Sequence, residues 1–233
     1  MGTILLVRHG QAEFGTADYD RLTETGVAQS RLLGRHFARR GLHFDALFTG
    51  TLRRHAQTAA AILQEMANAS PGKIPNTECF EGLDEYNPDA LVEALTGRRP
   101  TLTAATARRE PAAVREYFRI LRDALMAWTE DRIAPEDMPS WVRFAEGVML
   151  TLAAARDRHA NGNVLIVSSG GPIAAAVAAA LKAPPGTAVE LNLRIRNTGV
   201  TRFAMTPHRH HLVSFNSIAH IEEGSDAKLE TYA

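Results

Sequence analysis

The chain has 233 residues, 45% of them hydrophobic, and its 26 basic and 26 acidic residues balance to a formal net charge of zero. That length holds one large α/β domain, or one with an insert, around a sizeable core. The neutral balance argues against a general nucleic-acid or membrane binder and leaves room for a local cationic pocket. Cys79 is the single cysteine, so an intramolecular disulfide is impossible and a cysteine-based metal site is disfavoured; the expectation is a small buried or half-buried residue. No apolar run is long enough to span a bilayer. Ile173 to Leu181 comes nearest and reads as a buried helix. No signal peptide fits the N-terminus, so the expected location is the cytoplasm.

Thr3-Ile4-Leu5-Leu6-Val7 is a β-branched and aliphatic run without polar alternation, the pattern of a parallel-sheet strand buried on both faces. It stops at Arg8-His9-Gly10. Open α/β sheets gather ligands at the carboxyl ends of their strands. Arg8 and His9 are therefore expected at the rim of a crevice, with Gly10 where the backbone turns or approaches something closely. These residue types suit phosphate chemistry. Arginine offers a planar fork of donors to phosphate oxygens, and histidine a neutral ring nitrogen that attacks phosphorus near neutral pH.

Gln11 to Arg21 is polar and reads as a loop over the strand end. A helix then opens behind Thr23 as N-cap, carries Val27, Leu32, Leu33 and Phe37, and stops at Gly41. Phe44 to Phe48 reads as a second strand, ending in Thr49-Gly50-Thr51, and a helix begins near Leu52. A basic residue in its first turn, Arg53 or Arg54, can share an anion with the helix N-terminal amides. His55 lies roughly 100° further round that helix, so it is expected not to point where Arg54 points and to be structural rather than catalytic. Ser70 to Asn76 reads as a loop and Thr77 to Glu81 as a short strand. Glu81, Asp84 and Glu85 follow in an acidic stretch. Helices are expected over Asp89–Leu95, Pro111–Trp128 and Trp141–His159. The second carries Val114, Tyr117, Phe118, Leu121, Leu125 and Trp128 at helical spacing, a face that packs on the body. Arg98-Arg99 and Arg108-Arg109 read as solvated loop charges.

Asn163 to Ser168 is the clearest strand after the first. Ser169-Gly170-Gly171-Pro172 leads from it into a helix from Ile173 through Leu181, which ends before Pro184-Pro185-Gly186. The glycines and the proline make an anion-ready helix N-terminus. Asn197–Thr201 and Leu212–Phe215 are expected to form a terminal hairpin, with His208, His210 and His211 in an exposed turn rather than on a metal. Glu222 onward is polar and reads as a loose tail.

Arg8-His9-Gly10 at the end of the first strand resembles the signature of the histidine phosphatase superfamily, the phosphoglycerate mutase-like proteins. Leu22-Thr23-Glu24-Thr25-Gly26 resembles the Leu-Thr-x-x-Gly segment that follows in the family. The stretch Thr49 to Ala59 resembles its second arginine motif, and anchoring on Leu52 and Gln57-Thr58 assigns the phosphate arginine to Arg54. Leu83-Asp84-Glu85 resembles the Leu-x-Glu that carries the proton donor, which would be Glu85. Asn216 to His220 resembles a C-terminal Asn-x-x-x-His of structural role. The main departure is at the end of Asn163–Ser168. The family has Ser-His-Gly there, and this chain has Ser169 in place of the second histidine. A serine still donates a hydrogen bond to phosphate, though a neutral one, and whether a water or His55 takes the space of the missing imidazole stays open.

The resemblance implies an α/β three-layer sandwich with a mostly parallel central sheet and helices on both faces. It implies one domain over residues 1–233, with a variable helical insert at about 88–140 that covers the site and sets substrate choice. By the same resemblance His9 takes up the phosphoryl group, Arg8 and Arg54 hold its oxygens and Glu85 protonates the leaving alkoxide. Arg8, Gly10, Gln11, Arg54, Ser169 and Gly170 would bind the substrate phosphate, with no metal and no cofactor. The implied ligand is a small phosphorylated metabolite or a phosphoprotein, not a nucleic acid or a membrane. Two alternatives stay open. A phosphoglycerate mutase-type transfer is weakened by the short loop between His9 and Leu22 and by Gly15, where those mutases carry asparagine. A non-catalytic phospho-ligand binder is kept open by Ser169.

Overall fold

A computed structural model describes residues 2–13, 20–69, 75–100, 110–223 and 227–232; the expectations on Gly15 and on Arg108-Arg109 lie outside them. Among the described residues the strands are β1 (Thr3–Arg8), β2 (Ala46–Thr49), β3 (Thr77–Cys79), β4 (Asn163–Ser168), β5 (Val200–Met205) and β6 (His210–Ser217). The α-helices are α1 (Glu24–Arg39), α2 (Arg53–Ala69), α3 (Pro88–Thr96), α4 (Pro111–Thr129), α5 (Trp141–Arg158), α6 (Gly170–Leu181), α7 (Pro185–Asn192) and α8 (Ala219–Glu222). The sheet order is β3-β2-β4-β1-β5-β6. The first four strands are parallel, and β5 and β6 close the sheet as an antiparallel hairpin.

The unbroken apolar run of β1 follows from its place inside this sheet. Ile4 and Leu6 join one core and Leu5 and Val7 the other. On the first face they meet Val148 and Leu152 of α5 and Ile173 to Val177 of α6. On the second they meet Leu33 and Phe37 of α1 and Ile62 of α2. Layers of this kind bury both faces of a parallel sheet. α1 starts as the sequence predicts, with the Thr23 hydroxyl accepting from Gly26 N–H at 3.0 Å. It ends at Arg39, and Gly41, with φ +63°, turns the chain just beyond it.

A third hydrophobic cluster joins α3, α4 and α7. Leu91 and Val92 of α3 pack with Leu121, Leu125 and Trp128 of α4 and with Val189 of α7. Trp128 is 1% exposed, so emptying its site would cost about 3–5 kcal/mol. The apolar face of α4 is thus buried, against α3, α7 and the start of α5.

Several expectations are corrected. Cys79 is exposed, because β3 is an edge strand. β3 ends two residues earlier than expected. α6 begins at Gly170, so both glycines lie in its first turn. Pro184-Pro185-Gly186 opens a further helix, α7, with a proline in its first turn, where the missing N–H costs nothing. His210 is no turn residue: it is the first residue of β6, it is buried, and its Nε2 lies 3.0 Å from the Leu152 carbonyl. The terminal segment is not loose over 227–232. Gln29 donates to the Leu229 carbonyl at 2.7 Å, and Asn197 N–H donates to the Thr231 carbonyl at 2.9 Å.

Register then fixes what meets at the sheet's edge. Arg8 pairs with Ser168, and Thr49 with Val167. The chain therefore leaves β1, β2 and β4 at one level, at His9, Gly50 and Ser169. Ser168 also donates to the Leu83 carbonyl at 2.7 Å, which draws the Glu85 loop to the same edge.

Candidate active site

His9 leaves β1 and is buried, 3% exposed. Its Nδ1 lies 2.7 Å from the Gly10 carbonyl. A carbonyl only accepts, so Nδ1 carries the proton and Nε2 keeps its lone pair. That Nε2 receives a hydrogen bond from Arg54 Nε at 3.2 Å. Burial first, then the charges of Arg54 and Arg8, hold the His9 pKa well below the ordinary histidine value. The lowered pKa favours a neutral ring, with its lone pair on Nε2.

Arg54 stands in the first turn of α2 and is buried. Its Nη1 pairs with Asp20 at 2.9 Å. Arg53, the rival candidate, is exposed. Arg8 donates from Nη1 to the carbonyls of Ile195 and Tyr232, so the C-terminal segment reaches the site. Gly10 and Gln11 are engaged with the framework. Gly10 N–H donates to Thr58 Oγ1 at 3.0 Å, Gln11 N–H donates to Gln29 at 2.8 Å, and the Gln11 side chain accepts from Thr23 at 3.0 Å.

Glu85 faces the N-terminus of α6. Both of its oxygens accept from Gly171 N–H, at 3.1 and 3.2 Å. Burial pushes its pKa above the ordinary carboxylate value; Arg54, the Gly171 N–H and Arg8 oppose this and do not overcome it. A carboxyl whose pKa is raised by burial, beside two arginines, is suited to giving a proton to a leaving oxygen. Glu81, a rival in sequence, is exposed. Asp84 is tied to Thr51, whose N–H and hydroxyl donate at 2.7 and 2.5 Å.

Ser169 is buried, and its hydroxyl lies 2.7 Å from Nε2 of His55. Arg54 and His55 do point to different partners, His9 and Ser169, but both lie at the same site. The His55 ring centroid is 5.7 Å from that of His9. Beside this cluster opens a cavity of about 240 Å³, lined by Arg8, Glu85, Tyr86, Tyr117, Phe118 and Tyr232 among others. Helix α4 thus supplies an aromatic wall, Tyr117 and Phe118, next to Arg8 and Glu85. Among the described residues no cluster of histidine, cysteine or carboxylate side chains could hold a metal, and no helix is long and apolar enough to cross a membrane.

A neutral histidine with its lone pair on Nε2, two arginines and a carboxyl of raised pKa, gathered at the carboxyl ends of parallel strands, suit phosphoryl transfer. The chain belongs to the histidine phosphatase superfamily (branch 1), whose family model matches residues 4–98 and 102–218. It is similar to the 2,3-bisphosphoglycerate-dependent phosphoglycerate mutases of Methylobacterium sp. (strain 4-46), 43% identical over 70 residues, which cover 27% of this chain and 33% of that one. The mutase of Bartonella bacilliformis is 38% identical over 86 residues, covering 34% and 41%. The chain thus spans about a third of the length of the curated relatives it matches. In fold it is similar to Bacillus stearothermophilus YhfR, with a TM-score of 0.70 at 20% identity, covering 95% of this chain and 100% of that one. It is also similar to the phosphoserine phosphatase of Entamoeba histolytica, described in complex with 3-phosphoglyceric acid, with a TM-score of 0.62 at 22% identity and 95% and 100% coverage.

Proposed function

We propose that the protein is a phosphatase that hydrolyses phosphomonoesters through a phosphohistidine on His9. The observation that carries this reading is the state of that ring. Its Nδ1–H is fixed on the Gly10 carbonyl, and its Nε2 lone pair faces the Arg54 guanidinium. The substrate phosphate takes the place of the lone pair as Arg54's acceptor and brings phosphorus to Nε2. His9 Nε2 then forms the bond to phosphorus as the bond to the leaving oxygen breaks, and Glu85 gives that oxygen its proton. Arg54 and Arg8 balance the charge on the oxygens in transit. In the second half, water attacks the phosphohistidine. Its proton returns to Glu85, the P–N bond breaks, and inorganic phosphate leaves.

The aromatic wall from Tyr86, Tyr117 and Phe118 favours a small phosphorylated metabolite whose leaving group has an apolar or aromatic part. A phosphoglycerate mutase-type transfer is the second reading, supported by the similarity to mutases over 70 residues. It predicts exchange of phosphate between positions of a phosphoglycerate without net release.

The deciding experiment measures phosphate release from an aryl phosphate by the wild type and by His9→Ala. Release by the wild type that the variant loses supports the phosphatase. Equal background from both removes it.

A further inference from the structure

His55 has no part in the chemistry above, yet it is wholly buried against it. We propose that His55 is a positioning residue of the phosphate pocket: it holds the Ser169 hydroxyl, and the two form one hydrogen-bonded donor to the phosphoryl group. This rests on the phosphatase reading.

Three observations lead to it. First, Ser169 is the N-cap residue of α6 but makes no capping hydrogen bond. A serine in that place ordinarily accepts from the N–H groups of the first turn. Here Glu85 takes the Gly171 N–H, and the serine oxygen is turned to His55 Nε2 at 2.7 Å. Second, the ring is fitted in place. A Cβ at Gly50 would collide with both His55 Nδ1 and Asp84 Oδ1, so only glycine lets β2 end between them. Third, the pair adjoins the nucleophile, with 5.7 Å between the ring centroids of His55 and His9.

The ring's hydrogen bonds indicate its role. Nδ1 is buried without a hydrogen-bond partner among the described residues, and Asp84 Oδ1 stands 3.8 Å off. No acceptor therefore fixes a proton on Nδ1, and the neutral ring is able to carry it on Nε2. Burial and the Arg54 charge lower the His55 pKa to about 3, which keeps the ring neutral. With the proton on Nε2, His55 donates to Ser169 Oγ and leaves the serine's own hydrogen for an anion. The reverse arrangement would turn only lone pairs towards phosphate, so an anion selects the first. Position 169 thereby acts as an oriented donor rather than a freely rotating hydroxyl.

The test uses His55→Ala, Ser169→Ala, the double variant and His55→Gln, whose amide nitrogen reaches about where Nε2 lies. Turnover is read on an aryl phosphate. Binding of inorganic phosphate is read by calorimetry, with unfolding followed in parallel. Each alanine variant is expected to lose about a hundredfold in kcat/KM, the scale of one charge-stabilising donor, and to bind phosphate about tenfold more weakly. The double variant should be no worse than either single, as for groups that act as a unit. His55→Gln should recover about tenfold of what His55→Ala loses. Losses that multiply in the double variant would overturn the pairing. So would a His55→Ala protein with a lower melting temperature but unchanged kcat/KM and phosphate affinity. If the wild type binds phosphate but releases none above His9→Ala, the hydrolysis reading fails. The phosphate titrations then judge the pair alone: weaker binding in both singles supports it and unchanged binding overturns it.

Discussion

Gly171 gives its single N–H to both oxygens of Glu85, at 3.1 and 3.2 Å, and a Cβ at position 171 would collide with Glu85 Oε1. The Glu85 carboxyl is thus seated on the helix N-terminus through a gap that only glycine leaves. Gly171→Ala should push the carboxyl off its seat while His9 and both arginines stay. The expected result is a fall of about a hundredfold in kcat, at the low end of what a positioned general acid contributes. Inhibition by inorganic phosphate should stay within a fewfold of wild type. An unchanged kcat would show that Glu85 needs no such seat.

The two titrating groups predict a shape for the pH profile. His9 works only when neutral, and its pKa is lowered, so activity rises with pH along a limb below 6.5. Glu85 works only when protonated, and its pKa is raised, so activity falls along a limb above 4.5. Glu85→Gln should lower kcat/KM by roughly 10²- to 10⁴-fold and abolish the alkaline limb. Because substrate ionisation is common to both proteins, the ratio of wild type to variant isolates Glu85. A ratio constant with pH would remove Glu85 from the acid role.

Much of this site is legible in the sequence because strand ends and strand burial have strong local signatures. Ile4 to Val7 and Val164 to Val167 are continuous apolar runs, since each is covered on both faces. His9 and Ser169 follow directly from where those runs stop. His55 is not legible, because its direction depends on strand order. β2 neighbours β4 and not β1, so the first turn of α2 stands beside the end of β4. There the side chains of Arg54 and His55 reach one crevice by different routes, to His9 and to Ser169. A helix considered in isolation sends them roughly 100° apart. The docked C-terminal segment escapes sequence reading for a similar reason. Its partners Gln29 and Asn197 lie far from Thr231 along the chain, and a polar composition does not encode such pairing.

Arg54 makes two bonds that a lysine cannot make together. Its Nε donates to His9 and its Nη1 pairs with Asp20. An ammonium supplies charge but lacks the planar fork. Arg54→Lys should therefore lose about a hundred- to a thousandfold in kcat/KM on an aryl phosphate. The exposed Arg53→Lys, one residue away, should stay within threefold. Equal losses in the two would move the phosphate arginine to Arg53 or to neither.

Buried histidines make stability depend on pH as well. His220, bonded through Nε2 to Thr198 Oγ1 at 2.9 Å, has its pKa lowered to about 3 by burial and then by His36; Glu223 opposes this. His55 is also lowered to about 3. In the unfolded chain both titrate near 6.5. Between those values the unfolded state binds more protons than the folded one, so stability rises with pH. It is complete above about 6.5 and is lost as pH falls towards 3. Each histidine contributes a slope of about 1.4 kcal/mol per pH unit across that window. Urea unfolding at a series of pH values should show the wild type weakening steadily below 6.5. His220→Gln cannot take up the proton, so its stability should fall less steeply, by about 1.4 kcal/mol per unit. Parallel curves for the two proteins would mean that His220 is protonated in the folded state.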